Sequence, residues 1–88
     1  MYDIYYTKKA LKDQKLIENH PVLDENVFEI VKIIKNNPYQ NPPPYEKLKG
    51  DLKGHYSRRI NNQHRFVYKV DDSLKEVLVL SMWSHYDF

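Results

Sequence analysis

A run in the second half of the chain alternates polar and apolar residues on both sides of a short polar turn. It reads Tyr56-Ser-Arg-Arg-Ile-Asn-Asn-Gln-His-Arg-Phe-Val-Tyr68. Alternation with a period of two is typical of half-buried strands, and asparagine tolerates the left-handed backbone that tight turns need. The run therefore predicts a β-hairpin with strands near 54–60 and 64–70 and a turn at 61–63. Any fold proposed for this chain must contain that hairpin.

The length of the turn decides which hairpin residues face each other. With a three-residue turn, residue 59 lies opposite residue 65. One face of the hairpin is then core-like, and the other face is polar and basic. The core-like set is Tyr56, Ile60, Phe66, Tyr68 and Val70, and the polar set is Ser57, Arg59, Arg65 and Lys69. A two-residue turn would shift the pairing and separate the two guanidinium groups. The apolar pattern favours the first register but leaves the second open.

All three arginines of the chain fall in this hairpin, at Arg58, Arg59 and Arg65, whereas lysine is used throughout. Arginine is a planar cation that can grip phosphate with two hydrogen bonds at once. Residues 41–70 carry four lysines, three arginines and two acids, a net +5, although the whole chain is only +2. A local basic patch of this kind indicates a polyanionic partner. A solvated basic face with no partner is the alternative on charge alone.

The rest of the chain predicts one more strand, two helices and a loop before the hairpin. Residues 2–6 are tyrosine-rich and predict a short strand, and Thr7 can cap a helix that runs to about Asn19. The apolar face of that helix is thin. A second helix follows the break at His20-Pro21, with apolar residues at i, i+3, i+4 and i+7. The first face is Ala10, Leu11, Leu16 and Ile17, and the second is Val27, Ile30, Val31 and Ile34.

Residues 37–45 contain four of the five prolines and predict a stiff loop within one domain that spans 1–88. After the hairpin, the run 75–82 is nearly all apolar and predicts a central strand. The order is an N-terminal strand, two helices and a three-strand antiparallel meander. Helices on one face of such a sheet make a small α+β domain.

Several classes of function are excluded or disfavoured by composition. The absence of cysteine excludes disulfides, thiolate nucleophiles and cysteine-based zinc sites, and the four histidines lack ligand-type spacing, so no metal or cofactor is expected. No apolar run approaches about 18 residues, so no membrane span is expected. The N-terminus has neither the basic nor the apolar block of a signal peptide. These features predict a cytoplasmic protein.

Two residues outside the hairpin strands are candidates for proton transfer. Glu46 lies in the polar loop before the hairpin, and His85 follows the last strand. Such a pair could take a proton from an RNA 2′-hydroxyl and return one to the departing 5′-oxygen, with Lys49 and the hairpin arginines stabilising charge on phosphorus. Each residue also has an ordinary interpretation as a solvated surface charge. Four aromatic residues could stack on bases or simply fill the core: Tyr45, Tyr56, Trp83 and Tyr86.

The order and spacing of these motifs resemble a known family. Glu46-Lys-Leu-Lys49, Tyr56-Ser-Arg-Arg-Ile60, His64-Arg-Phe-Val-Tyr68 and His85-Tyr86 together resemble the YoeB/Txe toxins of bacterial toxin–antitoxin modules. The resemblance implies a compact microbial-ribonuclease-like fold of the RelE/YoeB kind. It also implies a ribosome-dependent mRNA endonuclease that cuts the message in the decoding site and needs no cofactor.

The resemblance also assigns roles and partners. Glu46 falls on the general base, and His85 on the general acid followed by the motif tyrosine, Tyr86. Arg65 falls on the phosphate-binding catalytic arginine, and the phosphate-contacting positions fall on Lys49, Arg58 and Arg59. Implied partners are a YefM/Axe-like antitoxin, the ribosome and mRNA, operator DNA through the antitoxin complex, and a second copy of the chain in a homodimer.

Two departures from the family pattern affect the site. Asp87 and Phe88 follow the His-Tyr pair at which many family chains end, and Glu46 follows a tyrosine in a proline-rich loop. Two other functions remain open. One is a non-enzymatic toxin on the same scaffold, of the topoisomerase-inhibitor type. The other is a nucleic-acid-binding module that acts only within a repressor complex.

Overall fold

The computed structural model describes residues 1–83 and consists of a five-strand sheet with two helices. Strand β1 spans Asp3–Tyr6, and helices α1 and α2 span Lys8–Ile17 and Pro21–Asn36. A two-residue strand β2, Glu46–Lys47, precedes a 3₁₀ turn at Gly50–Leu52. Strands β3, β4 and β5 span His55–Arg59, Arg65–Asp71 and Glu76–Ser81. The predicted α+β class and element order are confirmed.

The sheet order is β1-β5-β4-β3-β2, so the apolar strand β5 is interior, as its sequence predicted. Strand β1 pairs with β5 in parallel, and the other pairs are antiparallel. The predicted hairpin register is confirmed because Arg59 pairs with Arg65 and Tyr56 with Tyr68. The side chain of Asn61 closes the turn by accepting the backbone N–H of His64 at 2.7 Å.

Both helices pack on one face of the sheet and enclose the hydrophobic core. Helix α2 contributes its predicted stripe, since Val27, Ile30 and Ile34 are buried. The sheet contributes alternate residues from β3 onward, as a period of two requires. Buried core residues of the sheet and its flanks are Ile60, Phe66, Tyr68, Val77, Val79 and Met82. Neither α1 nor α2 packs on the opposite face of the hairpin, which carries the exposed Arg59.

Helix α1 departs from its predicted apolar face. Thr7 caps it as expected, but Leu11 and Leu16 are 47% and 45% exposed. The buried positions are Ala10, Asp13 and Ile17, which follow the i, i+3, i+7 spacing of a helix. Asp13 is tolerated there because its Oδ2 accepts the backbone N–H of Met82 at 2.9 Å. A buried carboxylate therefore replaces the apolar residue that the pattern demanded.

Strand β2 was not predicted, and its shortness shapes the surface around it. It pairs with β3 only at Glu46 opposite Ser57 and Lys47 opposite Tyr56. Within residues 1–83, no strand lies beside the remaining edge of β3, from Arg58 onward. Gly54, with φ at +92°, takes a left-handed conformation that favours glycine and turns the chain into β3. None of the helices within residues 1–83 has the length and apolar character needed to cross a bilayer.

Candidate functional site

A cleft of about 540 Å³ opens along the part of β3 that β2 leaves uncovered. Its walls are the proline-rich loop with the start of β2, the end of β3 and the hairpin turn. Ile30 of α2 closes one side. The lining residues are Ile30, Pro43, Pro44, Tyr45, Glu46, Ser57, Arg58, Arg59, Ile60, Asn61, Asn62 and Arg65. The charged residues among them are three arginines and one glutamate, so the cleft is basic.

The cleft brings together four of the predicted site residues, of which Arg58 is buried in its wall. Glu46 is exposed at the sheet edge, and Arg59 and Arg65 are cross-strand partners at the open end of the hairpin. Arg65 is oriented by its own turn, because its Nη1 donates to the carbonyl oxygens of Asn61 at 2.9 Å and His64 at 3.2 Å. Two cations held side by side favour an anion between them. A carboxylate within the same cleft adds a proton acceptor.

Lys49 lies beside this cleft instead of in it. It lines an adjoining pocket of about 480 Å³ together with Glu46, Lys47, Leu48 and Leu52. Glu46 lines both cavities, so Lys49 flanks the carboxylate on the side away from the hairpin arginines. The structure thus leaves Lys49 near the site but does not bring it to the arginine pair.

Arg58, which was predicted to contact phosphate, is buried. Strand alternation turns Arg58 toward the core, where it is only 2% exposed. Its Nε donates to the Tyr68 hydroxyl at 3.1 Å, and Nη1 donates to the Pro43 carbonyl oxygen at 2.8 Å. Its Nη2 donates to the carbonyl oxygens of Pro38 at 3.1 Å and Gln40 at 2.8 Å. With these bonds formed, the guanidinium fastens the proline-rich loop instead of facing a ligand.

A cluster of tyrosines surrounds the Arg58 guanidinium. The ring of Tyr45 lies 5.1 Å from it, and Tyr56 contacts Tyr45, Tyr39 and Tyr68 edge-on or tilted. Tyr68 is fully buried and donates to the Pro38 carbonyl at 2.8 Å. Burial raises the pKa of Tyr68, and the nearby charge of Arg58 opposes that rise. This cluster holds the loop that ends at Glu46, a role that the sequence pattern did not reveal.

The histidines and the remaining aromatic candidate occupy other places. His64 is buried and its ring stacks on Trp83 with centroids 4.4 Å apart, and His20 contacts the same indole at 5.5 Å. The ring of His55 lies 3.0 Å from the Leu52 carbonyl oxygen. Within residues 1–83, no group of three potential metal ligands forms. The predicted acid His85 and its neighbour Tyr86 lie outside the described residues.

Comparisons with known proteins agree on one family. Residues 6–86 match the sequence model of the YoeB-like toxin of bacterial type II toxin-antitoxin system. A protein named Toxin YoeB from Synechocystis is 35% identical over 69 residues, which is 78% of both chains.

Solved structures extend the agreement to the fold. The YoeB/ParE toxin from Agrobacterium tumefaciens superposes with a TM-score of 0.88 at 29% identity, covering 96% of this chain and 99% of that one. The YoeB chain of a YoeB-YefM complex from Staphylococcus aureus superposes with a TM-score of 0.83 at 35% identity, covering 98% and 99%.

Proposed function

The chain belongs to the YoeB-like toxins of bacterial type II toxin–antitoxin systems, and from this membership we propose that it is an endoribonuclease that cuts mRNA in the decoding site of the translating ribosome. The observation that carries the proposal is the cleft that combines Glu46 with Arg59 and Arg65. A proton acceptor beside a paired phosphate-binding cation site is what cleavage by an internal 2′-hydroxyl requires.

The proposed reaction is a transfer of the phosphoryl group within the RNA strand. Glu46 accepts the proton of the 2′-hydroxyl, whose oxygen then attacks the adjacent phosphorus. His85 gives a proton to the departing 5′-oxygen, which leaves a 2′,3′-cyclic phosphate and a free 5′-hydroxyl. Arg59 and Arg65 stabilise the charge that builds on the phosphate oxygens. Tyr86, the motif tyrosine that follows His85, is the remaining residue of the site that the family resemblance implies.

The geometry of Arg65 supports its role. One terminal nitrogen is engaged by the two carbonyl oxygens of the hairpin turn, and the hydrogen bonds within residues 1–83 leave the other terminal nitrogen to donate to phosphate. A cation fixed in this way needs little reorganisation when charge develops, and such preorganised donors contribute most in a water-poor site. Lys49, which lines the adjoining pocket with Glu46, then adds a positive charge that attracts the phosphate backbone of the message.

The proposal extends to the partners of the chain. The Staphylococcus aureus relative has been solved in a complex with YefM. We expect a YefM-like antitoxin to neutralise this chain, and the pair to bind its own operator DNA in the cytoplasm. A homodimer stays a prediction from the resemblance.

Primer extension on a defined mRNA in a purified translation system, with and without ribosomes, tests the nuclease proposal. The wild-type chain, Glu46→Gln, His85→Ala and the control Glu25→Gln should be compared. Glu25 is an exposed carboxylate on α2, outside the cleft. We expect cuts that need ribosomes, are unchanged by Glu25→Gln, and fall about 10²–10⁴-fold in the two site variants.

Two results would contradict the proposal. Cleavage that survives both site variants would remove Glu46 and His85 from the mechanism. An intact message in every reaction, from a chain that still stops cell division, would favour the non-enzymatic toxin of the topoisomerase-inhibitor type.

A further inference from the structure

We propose that Tyr45 forms a stacking site for a nucleobase next to the scissile phosphate, an inference that rests on the proposed nuclease function. Tyr45 directly precedes Glu46 and lines the same cleft as Arg59 and Arg65. The ring is partly exposed, so a ligand in the cleft can reach it. An aromatic plane beside paired guanidiniums matches the two parts of a nucleotide, its base and its phosphate.

The Tyr45 ring is held before any ligand arrives. The Arg58 guanidinium lies 5.1 Å from its centroid. Tyr56 meets it in a T-shaped contact at 5.6 Å, and Tyr39 lies tilted at 6.4 Å. A ring fixed on several sides loses little conformational freedom on binding, which favours stacking. A base on Tyr45 would use the ring face directed away from Arg58.

The two other aromatic candidates within residues 1–83 are less suited to this role. Tyr56 lies inside the tyrosine cluster, between Tyr45 and Tyr68, and the Trp83 indole is stacked against His64. Among the aromatic residues of the described part of the chain, Tyr45 alone lines the cleft with Glu46. Of the three candidates that lie within residues 1–83, the structure therefore favours Tyr45.

The other cleft residues fit a nucleotide better than an apolar ligand. Pro43 and Pro44 continue the apolar wall beside Tyr45, whereas Asn61 and Asn62 present amides at the hairpin turn. Amides pair with base edges, and the arginine pair supplies the anion site. Because Tyr45 and Glu46 line the same cleft, the stacked base belongs to a nucleotide that flanks the attacked phosphate.

The stacking site can be tested by a double-mutant cycle, in which the enzyme change is Tyr45→Ala and the message change is removal of one base. Messages with an abasic nucleotide on one side or the other of the cut are bound to ribosomes and cleaved by the wild-type chain and by Tyr45→Ala. Stacking on a protein aromatic predicts a loss of roughly ten- to a hundred-fold for wild type on one abasic message. Tyr45→Ala should be equally slow on the intact and that abasic message, because the base has already lost its partner.

Three further variants separate stacking from packing. Tyr45→Phe and Tyr45→Trp retain an aromatic plane and should keep the abasic penalty, while Tyr39→Ala disturbs the same cluster from outside the cleft. An abasic penalty that is the same for wild type and Tyr45→Ala would overturn the stacking site and leave the nuclease function intact. A wild-type chain that cuts no message would overturn both.

Discussion

Arg58 and Arg59 are consecutive residues of one strand, yet their side chains leave opposite faces of that strand. Arg58 is 2% exposed and its guanidinium is bonded to the Tyr68 hydroxyl and three loop carbonyls. Arg59 is exposed and lines the cleft with its cross-strand partner Arg65. Strand alternation alone accounts for the difference. Three arginines that cluster in sequence therefore form one structural clamp and one paired cation site.

The two sides depend on each other. The carbonyl oxygens that Arg58 holds belong to Pro38, Gln40 and Pro43, in the loop that leads into Tyr45 and Glu46. If the loop moved, the carboxylate would no longer lie across the cleft from Arg59 and Arg65. The buried Arg58 thus supports the proposed chemistry by holding the loop that positions Glu46. Arg59 and Arg65 support it by placing positive charge at the phosphate.

The largest effect on activity should come from the cleft side. Replacing Arg65 with alanine removes a preorganised cation, so cleavage on ribosomes should fall about 10²–10³-fold. Its two turn bonds are worth about 1 kcal/mol in unfolding free energy, so the variant should still fold. Lys69→Ala is the matched control, because Lys69 is an exposed cation of the same strand that does not line the cleft. Equal losses in both variants would show that general charge, not position, drives binding.

The largest effect on stability should come from the buried side. Arg58→Met leaves the carbonyl oxygens of Pro43 and Gln40 without their donor and removes one of two donors to Pro38, which should lower the unfolding free energy by about 3 kcal/mol or more. For a domain of this size the melting temperature should fall by roughly 12 °C or more. Arg59→Met, one residue along, should change the unfolding free energy by about 0.5 kcal/mol or less. Thermal and urea unfolding of both variants measure the contrast, and similar values for the two would contradict it.

Asp13 tests whether a second buried charge that binds backbone groups also stabilises the fold, as Arg58 is expected to do. Like Arg58, it is a buried charge, and its Oδ2 accepts the Met82 N–H as well as a Lys9 ammonium proton at 3.0 Å. Asp13→Ala should lower the unfolding free energy by about 1–3 kcal/mol, because a buried N–H loses its acceptor. Lys9→Ala should cost about 0.5 kcal/mol or less, since the Lys9 side chain is 51% exposed. Urea unfolding measures both, and a larger loss for Lys9→Ala would reverse the assignment.

Much of the fold could be predicted from the hydrophobic periodicity of the sequence. The period of two in the hairpin, the helical stripe of α2 and the apolar run of β5 all specify their elements because burial controls them. Strand β2 has only two residues, both exposed, which is too short for an alternating hydrophobic pattern, so the sequence does not predict it. Asp13 and Arg58 escaped prediction for a different reason. Their burial depends on backbone groups from distant segments, and hydropathy assigns both residues to the surface.

The candidate site was predictable to the extent that it rests on family motifs. Glu46, Arg59 and Arg65 line one cleft, whereas Lys49 flanks it and Arg58 faces inward, and the roles that the resemblance assigns to them stay predictions. Parity in the confirmed register would have placed Arg58 with Tyr56 and Tyr68 on the core face. The register alone therefore predicts a buried Arg58, whereas the usual preference of arginine for solvent predicts an exposed one.

The smallest effect should appear only in alkaline solution. Burial raises the pKa of Tyr68 above its ordinary value near 10, so the folded chain holds this proton longer than the unfolded chain does. The resulting stabilisation is complete below about pH 10 and is lost as the pH rises through the folded-state pKa. Urea unfolding between pH 8 and 11 should therefore show a decline that begins near pH 10. In Tyr68→Phe the decline should be smaller, and an equal decline would assign the alkaline loss to other tyrosines.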